Sequence, residues 1–153
     1  DDAMNANLPV TIDERLREFN LGDMEGMKFA DAEKKYPKQM DNFWHHPDQY
    51  DPTELHGEDY PHVIARGKSF AEEMAKRFPN DDDKVLAVSH GAALSAIMGG
   101  LLGYPLKDIR KNGGLSNTSL TILETKDGGK TFKPVVWNET SYLGRKLSKT
   151  DSL

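Results

Sequence analysis

Val85-Leu86-Ala87-Val88-Ser89-His90-Gly91, followed at once by Ala92 to Leu102, is the stretch on which the fold turns. Val85 to Ser89 is a short apolar run with β-branched residues, bounded by the turn-like Pro79-Asn80-Asp81-Asp82-Asp83 on one side and His90-Gly91 on the other. Such a run reads as a buried strand. Beyond it, Leu94, Ile97, Met98, Leu101 and Leu102 recur at helical spacing, and Gly103 and Pro105 supply the stop. The reading is strand, tight polar turn, helix.

Working outward, Val63, Gly67, Phe70, Ala71, Met74 and Phe78 repeat at intervals of three and four, which predicts one amphipathic helix over Asp59 to Phe78. A helix on each side of a strand is the alternation of an α/β sandwich. Thr118 to Glu124 and Phe132 to Trp137 alternate as strands around the hairpin sequence Lys126-Asp127-Gly128-Gly129-Lys130, and are expected to close one edge of the sheet. Lys28 to Tyr36 and Lys38 to His45 read as short helices divided by Pro37, with a loop over Asp48 to Gly57. There is no internal repeat, low-complexity tract or linker.

The chain has 153 residues, of which 37% are hydrophobic and 29% charged, enough for one core and too few for two. One domain over 1–153 is expected. Without cysteine it has no disulfide framework or thiolate zinc site, and nothing in it reads as a signal peptide or a long apolar span. A cytoplasmic protein without a membrane partner is the expectation. The net charge of -5 and the scattered basic residues argue against a nucleic-acid surface. An anionic ligand would need a local cationic pocket working against the overall field.

His90, at the carboxyl end of a strand with Gly91 opening a helix, sits where α/β folds bind anions beside free backbone N–H groups. The alternative is a histidine hydrogen-bonded to a neighbouring carbonyl. In Leu16-Arg17-Glu18-Phe19-Asn20-Leu21-Gly22-Asp23-Met24-Glu25-Gly26, Glu18 and Glu25 taken alone read as solvated surface, while the glycines suggest a loop of defined path. His45-His46 lacks the spaced partners of a metal site and reads as a solvated loop. Asp81-Asp82-Asp83 lacks calcium-site spacing and reads as a charged turn. Arg66 reads first as an exposed helix arginine, with pairing to Glu58 or a place at the mouth of the site as its other reading.

Taken together, these motifs resemble a family. Leu-x-Glu-x-x-x-Gly-x-x-Glu-Gly, then Gly57-Glu58, then Val-x-x-Val-Ser-His-Gly, then Asn117-Thr118-Ser119, is the order found in histidine phosphatases of the phosphoglycerate-mutase branch. The resemblance runs from about Glu14 to Leu143 and is specific in both order and spacing. It implies a three-layer α/β/α sandwich, here lacking its first strand, first helix and second strand, so that the domain is incomplete at its N-terminal side. It also implies a phosphohistidine mechanism without metal or other cofactor, acting on a small phosphorylated substrate. By resemblance Glu18 is the catalytic acid and His90 the second histidine, which holds phosphoryl oxygens. Gly91, Asn117, Glu58 and Arg66 are carried over as phosphate- or substrate-binding positions. The acid role asks for a Glu18 carboxyl raised by a dry pocket or by phosphate charge.

One element departs from the family. The nucleophile of the family lies in an Arg-His-Gly motif, and no Arg-His pair occurs in this chain. The chain alone is therefore expected to be inactive, with the gap covered by an upstream segment or by another chain, a second copy included. The compact stretch from Gly26 to Gly57, with Trp44 followed by His45-His46 in place of a Trp-Arg-Arg element, favours a phosphatase over a phosphoglycerate mutase. A non-catalytic relic or binding module is the third reading.

Overall fold

The computed structural model describes residues 9–144 and Asp151. The elements are α1 (Phe29–Lys35), α2 (Pro37–His45), α3 (Tyr60–Arg77), α4 (Gly91–Leu101), β1 (Leu120–Glu124) and β2 (Lys133–Glu139), joined by 3-10 turns, giving a mixed α/β fold.

α3 and α4 form the frame, and their sequences explain how closely they pack. Gly67 of α3 faces Ile97, and Gly100 of α4 faces Ile64. A Cβ at Gly67 would lie 2.3 Å from Ile97 Cγ1, and one at Gly100 would lie 2.4 Å from Ile64 Cγ2. Each isoleucine therefore sits in a notch that only glycine leaves open, and its β-branched side chain has little freedom to move aside. Asp59 caps α3 by accepting from the His62 N–H at 2.9 Å, and Pro61 occupies the first turn, where its missing N–H costs nothing.

The core that this frame carries is aromatic. Phe19, Phe43, Tyr50 and Tyr60 are buried together, with edge-on contacts from Phe19 to Phe43 at 5.1 Å and from Phe19 to Tyr60 at 4.9 Å. The Tyr60 hydroxyl donates to the Phe43 carbonyl at 2.6 Å, so its polar tip is satisfied in the interior. A second apolar cluster of Met24, Ala32, Met40 and Leu55 lies under α1 and α2, which break at Tyr36 where Pro37 opens α2.

The hairpin forms as expected, antiparallel with Ile122 opposite Val136 and Glu124 opposite Lys133, and with irregular register between. Asp127 organises its turn by accepting from Lys130 N–H, Thr131 N–H and both threonine hydroxyls of Thr125 and Thr131. The Thr131 hydrogen bonds lead in holding its carboxyl down at about 2.

The strand expected at Val85 to Ser89 is not found. The segment is irregular and pairs with no strand among the described residues, where β1 and β2 form the sheet. Nor is it buried: Leu86 is 77% and Val88 79% exposed. A buried parallel strand needs neighbours on both edges and cover on both faces, and an apolar run cannot provide those for itself.

Candidate active site around Glu18

The site is built from the loop over residues 13–21, the start of α4 and the start of α3. Phe19 anchors the loop because it is buried in the aromatic core, which fixes its neighbour Glu18 at the surface of that core. The Glu18 carboxylate turns toward the N-terminus of α4. Its Oε1 accepts from the Ala93 N–H at 2.8 Å and the Phe19 N–H at 2.9 Å, and its Oε2 accepts from the Ala92 N–H at 3.3 Å. His90 stands at the capping position of α4 but makes no side-chain cap, so Glu18 does from a distance what a serine or aspartate does locally. Backbone amides at a helix start favour a negative charge there.

His90 is exposed, with extended backbone, and its carbonyl accepts from the Leu94 N–H at 2.8 Å to begin the helix. Among the described residues its imidazole has no hydrogen-bond partner. Gly91 opens α4 and its carbonyl accepts from Ser95 Oγ at 2.8 Å. Ser89 Oγ donates to the Leu16 carbonyl at 2.5 Å, which joins the segment before α4 to the loop that carries Glu18.

Arg66 overturns the reading of it as an exposed helix arginine. Its side chain is 11% accessible and grips Glu58 with two nitrogens, Nε to Oε1 at 2.9 Å and NH2 to Oε2 at 3.0 Å. The remaining donors go to the loop: NH1 to the carbonyls of Arg15 at 2.7 Å and Arg17 at 2.8 Å, NH2 to that of Glu18 at 3.1 Å. A planar guanidinium with five donors can serve a carboxylate and three carbonyls together. Glu58 adds its own N–H to the Asn20 carbonyl at 2.7 Å. Both residues therefore hold the backbone that carries Glu18.

Asn117 is not drawn into this group. It is exposed beside the hairpin, where its N–H donates to the Asp151 carbonyl, and among the described residues no hydrogen bond joins it to Glu18 or His90. Glu25, read as solvated, accepts from the Leu21 N–H at 2.7 Å and closes the loop on itself. Gly22 shows why that loop has a defined path. Its φ is +57°, and a Cβ would lie 1.8 Å from the Leu55 carbonyl oxygen. Farther back, Arg15 pairs with Asp13 at 2.6 Å and Glu73 at 2.8 Å, and hydrogen bonding to Arg15 holds the Asp13 carboxyl down at about 2. His45 pairs with Asp41 at 2.9 Å on an exposed helix end.

Beside Glu18 lies a cleft of about 140 Å³ whose walls are Met24, Phe29, Met40, Phe43 and Trp44. Reading by motif missed it, because each of these residues fits a helical or core pattern. The one signal was Phe29, an aromatic at the exposed start of α1. A larger hollow of about 210 Å³ sits in the hairpin among Glu124, Lys126 and Asp127, whose charged groups serve the turn and one another. Among the described residues no group of three or more His, Cys, Asp or Glu is placed to hold a metal.

Comparison with known proteins fits this geometry. The model of the histidine phosphatase superfamily (branch 1) matches residues 2–140. The chain belongs to that superfamily. It is 29% identical over 137 residues to glucosyl-3-phosphoglycerate phosphatase of Mycobacterium tuberculosis, covering 85% of this chain and 60% of the relative. It is 30% identical over 93 residues to the 2,3-bisphosphoglycerate-dependent phosphoglycerate mutase of Cytophaga hutchinsonii, covering 61% of this chain and 43% of that protein. Among solved structures, Bacillus stearothermophilus YhfR superposes with a TM-score of 0.81 at 31% identity, over 92% of this chain and 66% of the other. The histidine phosphatase fold expected from the motifs is thus the fold of this chain. The chain spans about 60% of the length of the mycobacterial relative it matches. No helix of the described residues is long and apolar enough to cross a membrane.

Proposed function

We propose that the chain forms the acid-bearing part of a metal-independent phosphomonoesterase site, within a domain that is completed by a segment outside these 153 residues carrying the nucleophilic histidine. The observation that carries this reading is the placement of the Glu18 carboxylate on the amides of Ala92 and Ala93, the residues that follow His90-Gly91. An acid and a second histidine then share one helix start. In the reaction the nucleophilic imidazole forms a bond to phosphorus as the bond to the ester oxygen breaks, and Glu18, whose ionised form the charge of the bound phosphate disfavours against the pull of the α4 amides, gives its proton to the departing oxygen. Water then attacks phosphorus, its proton returning to Glu18, and phosphate leaves with the histidine regenerated. His90 holds phosphoryl oxygens through both steps. Gly91 would add a backbone donor. Arg66 and Glu58 keep the Glu18 backbone in place.

The test is an assay of the full coding-sequence product with p-nitrophenyl phosphate and with an alkyl phosphate, together with a search for an acid-labile phosphoenzyme. His90→Ala should abolish turnover, and Glu18→Gln should slow the alkyl ester more than the aryl ester. Equal losses for both leaving groups would remove the acid role from Glu18. Absence of both turnover and phosphoenzyme would remove the phosphatase reading.

A second reading has its own support, since the same hydrogen bonds make Glu18 a structural cap of α4. Glu18→Gln keeps an acceptor for the amides, so a purely structural Glu18 would leave turnover intact in that variant. The compact Gly26 to Gly57 region favours hydrolysis over a mutase reaction, which is tested by whether phosphate is released or moved within phosphoglycerate.

A further inference from the structure

We propose that Ser89 is a positioning residue of the site: its hydroxyl keeps the segment that presents His90 in register with the loop that presents Glu18. The catalytic side of this role rests on the phosphatase reading, while the tie itself stands on geometry. Four successive carbonyls of the loop, from Arg15 to Glu18, are each taken by a side chain from far along the chain. Arg66 donates to those of Arg15, Arg17 and Glu18, and Ser89 Oγ donates to that of Leu16 at 2.5 Å. Arg66 thereby holds the loop to α3. Ser89 holds it to the backbone that runs directly into His90 and α4. Among the described residues the other hydrogen-bonded link between this loop and the start of α4 is the Glu18 carboxylate itself, on the N–H groups of Ala92 and Ala93.

That carboxylate link changes during the reaction. An ionised carboxylate accepts strongly from helix amides, whereas the neutral acid that delivers a proton accepts more weakly. Each turnover takes Glu18 through both forms, so its own grip on α4 slackens in the step where the distance from acid to leaving oxygen matters. The bond from Ser89 to Leu16 joins a hydroxyl to a carbonyl, and it is the same in both forms. Little else steadies the approach to His90, since Val88 beside Ser89 is 79% exposed. The phosphoryl group held by His90 and the ester oxygen facing Glu18 belong to one substrate. A slip between the two backbones therefore misplaces the proton donor, and an error of about 1 Å can cost about a hundredfold in rate.

The experiment compares, in the full-length protein, kcat/KM for p-nitrophenyl phosphate, whose leaving group departs without a proton, and for glycerol 3-phosphate, whose leaving group needs one. Ser89→Ala should lower the alkyl-to-aryl ratio by about tenfold, and Ser89→Thr, which keeps the hydroxyl, should return it to within about twofold of the unaltered protein. In a Glu18→Gln background Ser89→Ala should leave the ratio within about twofold, because the donor that it positions is gone. A further measurement needs no turnover: amide hydrogen exchange at Ala92 and Ala93 should quicken by about fivefold or more in Ser89→Ala. Equal losses for both esters, a threonine variant that behaves like alanine, or losses that multiply in the Glu18→Gln background overturn the positioning role. No turnover in the unaltered protein, with exchange still quickened by Ser89→Ala, removes the phosphatase reading and the positioning role with it but keeps the tie. Unchanged exchange in an active enzyme overturns the tie and leaves the phosphatase reading standing.

Discussion

The loop carrying Glu18 and the segment Val85 to Ser89 both lead into the start of α4, and they differ in almost everything else. The first is polar in sequence, yet the structure wires it down: Phe19 is buried, Arg66 donates to three of its carbonyls, and Ala92 and Ala93 donate to its carboxylate. The second is apolar in sequence, yet Leu86 and Val88 face solvent, and Ser89 Oγ supplies the side-chain hydrogen bond that ties it to the loop. Hydrophobic sequence is a demand for partners, and only the rest of the fold can meet it. Hydrogen-bonding sequence can be satisfied locally, and here a single arginine does much of that.

The comparison breaks most sharply at Arg66. Arg66→Leu strips three carbonyls of their donor and leaves the largely buried Glu58 carboxylate with only the more distant Arg17 at 3.6 Å and the Asn20 N–H at 3.4 Å, and should cost about 3 kcal/mol in denaturant unfolding. A loss under about 1 kcal/mol would show that the loop is held some other way. Gly67→Ala comes next. It presses a methyl into Ile97, and should cost about 2 kcal/mol net of the better helix propensity of alanine. Asp59→Ala removes the cap of α3 and should cost about 1 kcal/mol.

The mildest result should come from the exposed segment. Leu86→Ser should change the stability of this chain by less than about 0.5 kcal/mol. If the same change becomes strongly destabilising in the full-length protein, Leu86 is covered there and the segment is a strand after all. A titration sharpens the polar side without any substitution. The hydrogen bond and charge of Asp59 raise the His62 imidazole above its usual value, so the protonated form is favoured in the folded state. That small stabilisation is fully present below the unfolded imidazole value of about 6.5 and is lost as pH rises through the folded one. Proton NMR of His62 should place its midpoint above that of the unfolded chain.

Much of the site could be read before any coordinates. Glu18, His90 and Gly91 meet at one helix start, a grouping that only the family resemblance implied, since Glu18 taken alone reads as solvated surface, and the helices over Tyr60–Arg77 and Gly91–Leu101 differ from expectation only at their ends. For Arg66 the pairing with Glu58 is the reading that holds and the exposed one fails, because helical spacing places a residue on a face and says nothing of a loop fifty residues earlier lying across it. The apolar cleft was invisible for a related reason. Met24, Phe29 and the α2 pair Met40 and Trp44 come from three elements, and the cleft exists only where those elements meet.

By itself the sequence determined the local elements, the caps and stops that bound them, and the family to which the order of motifs belongs, because periodicity, proline and glycine act within a few residues. Tertiary structure decided which polar groups meet and which apolar ones stay uncovered. It brought Arg66 onto the backbone of Arg15, Arg17 and Glu18, and among the described residues left Leu86 and Val88 without a strand beside them. Both outcomes depend on chain segments distant in sequence, and no local preference encodes the presence of a neighbour.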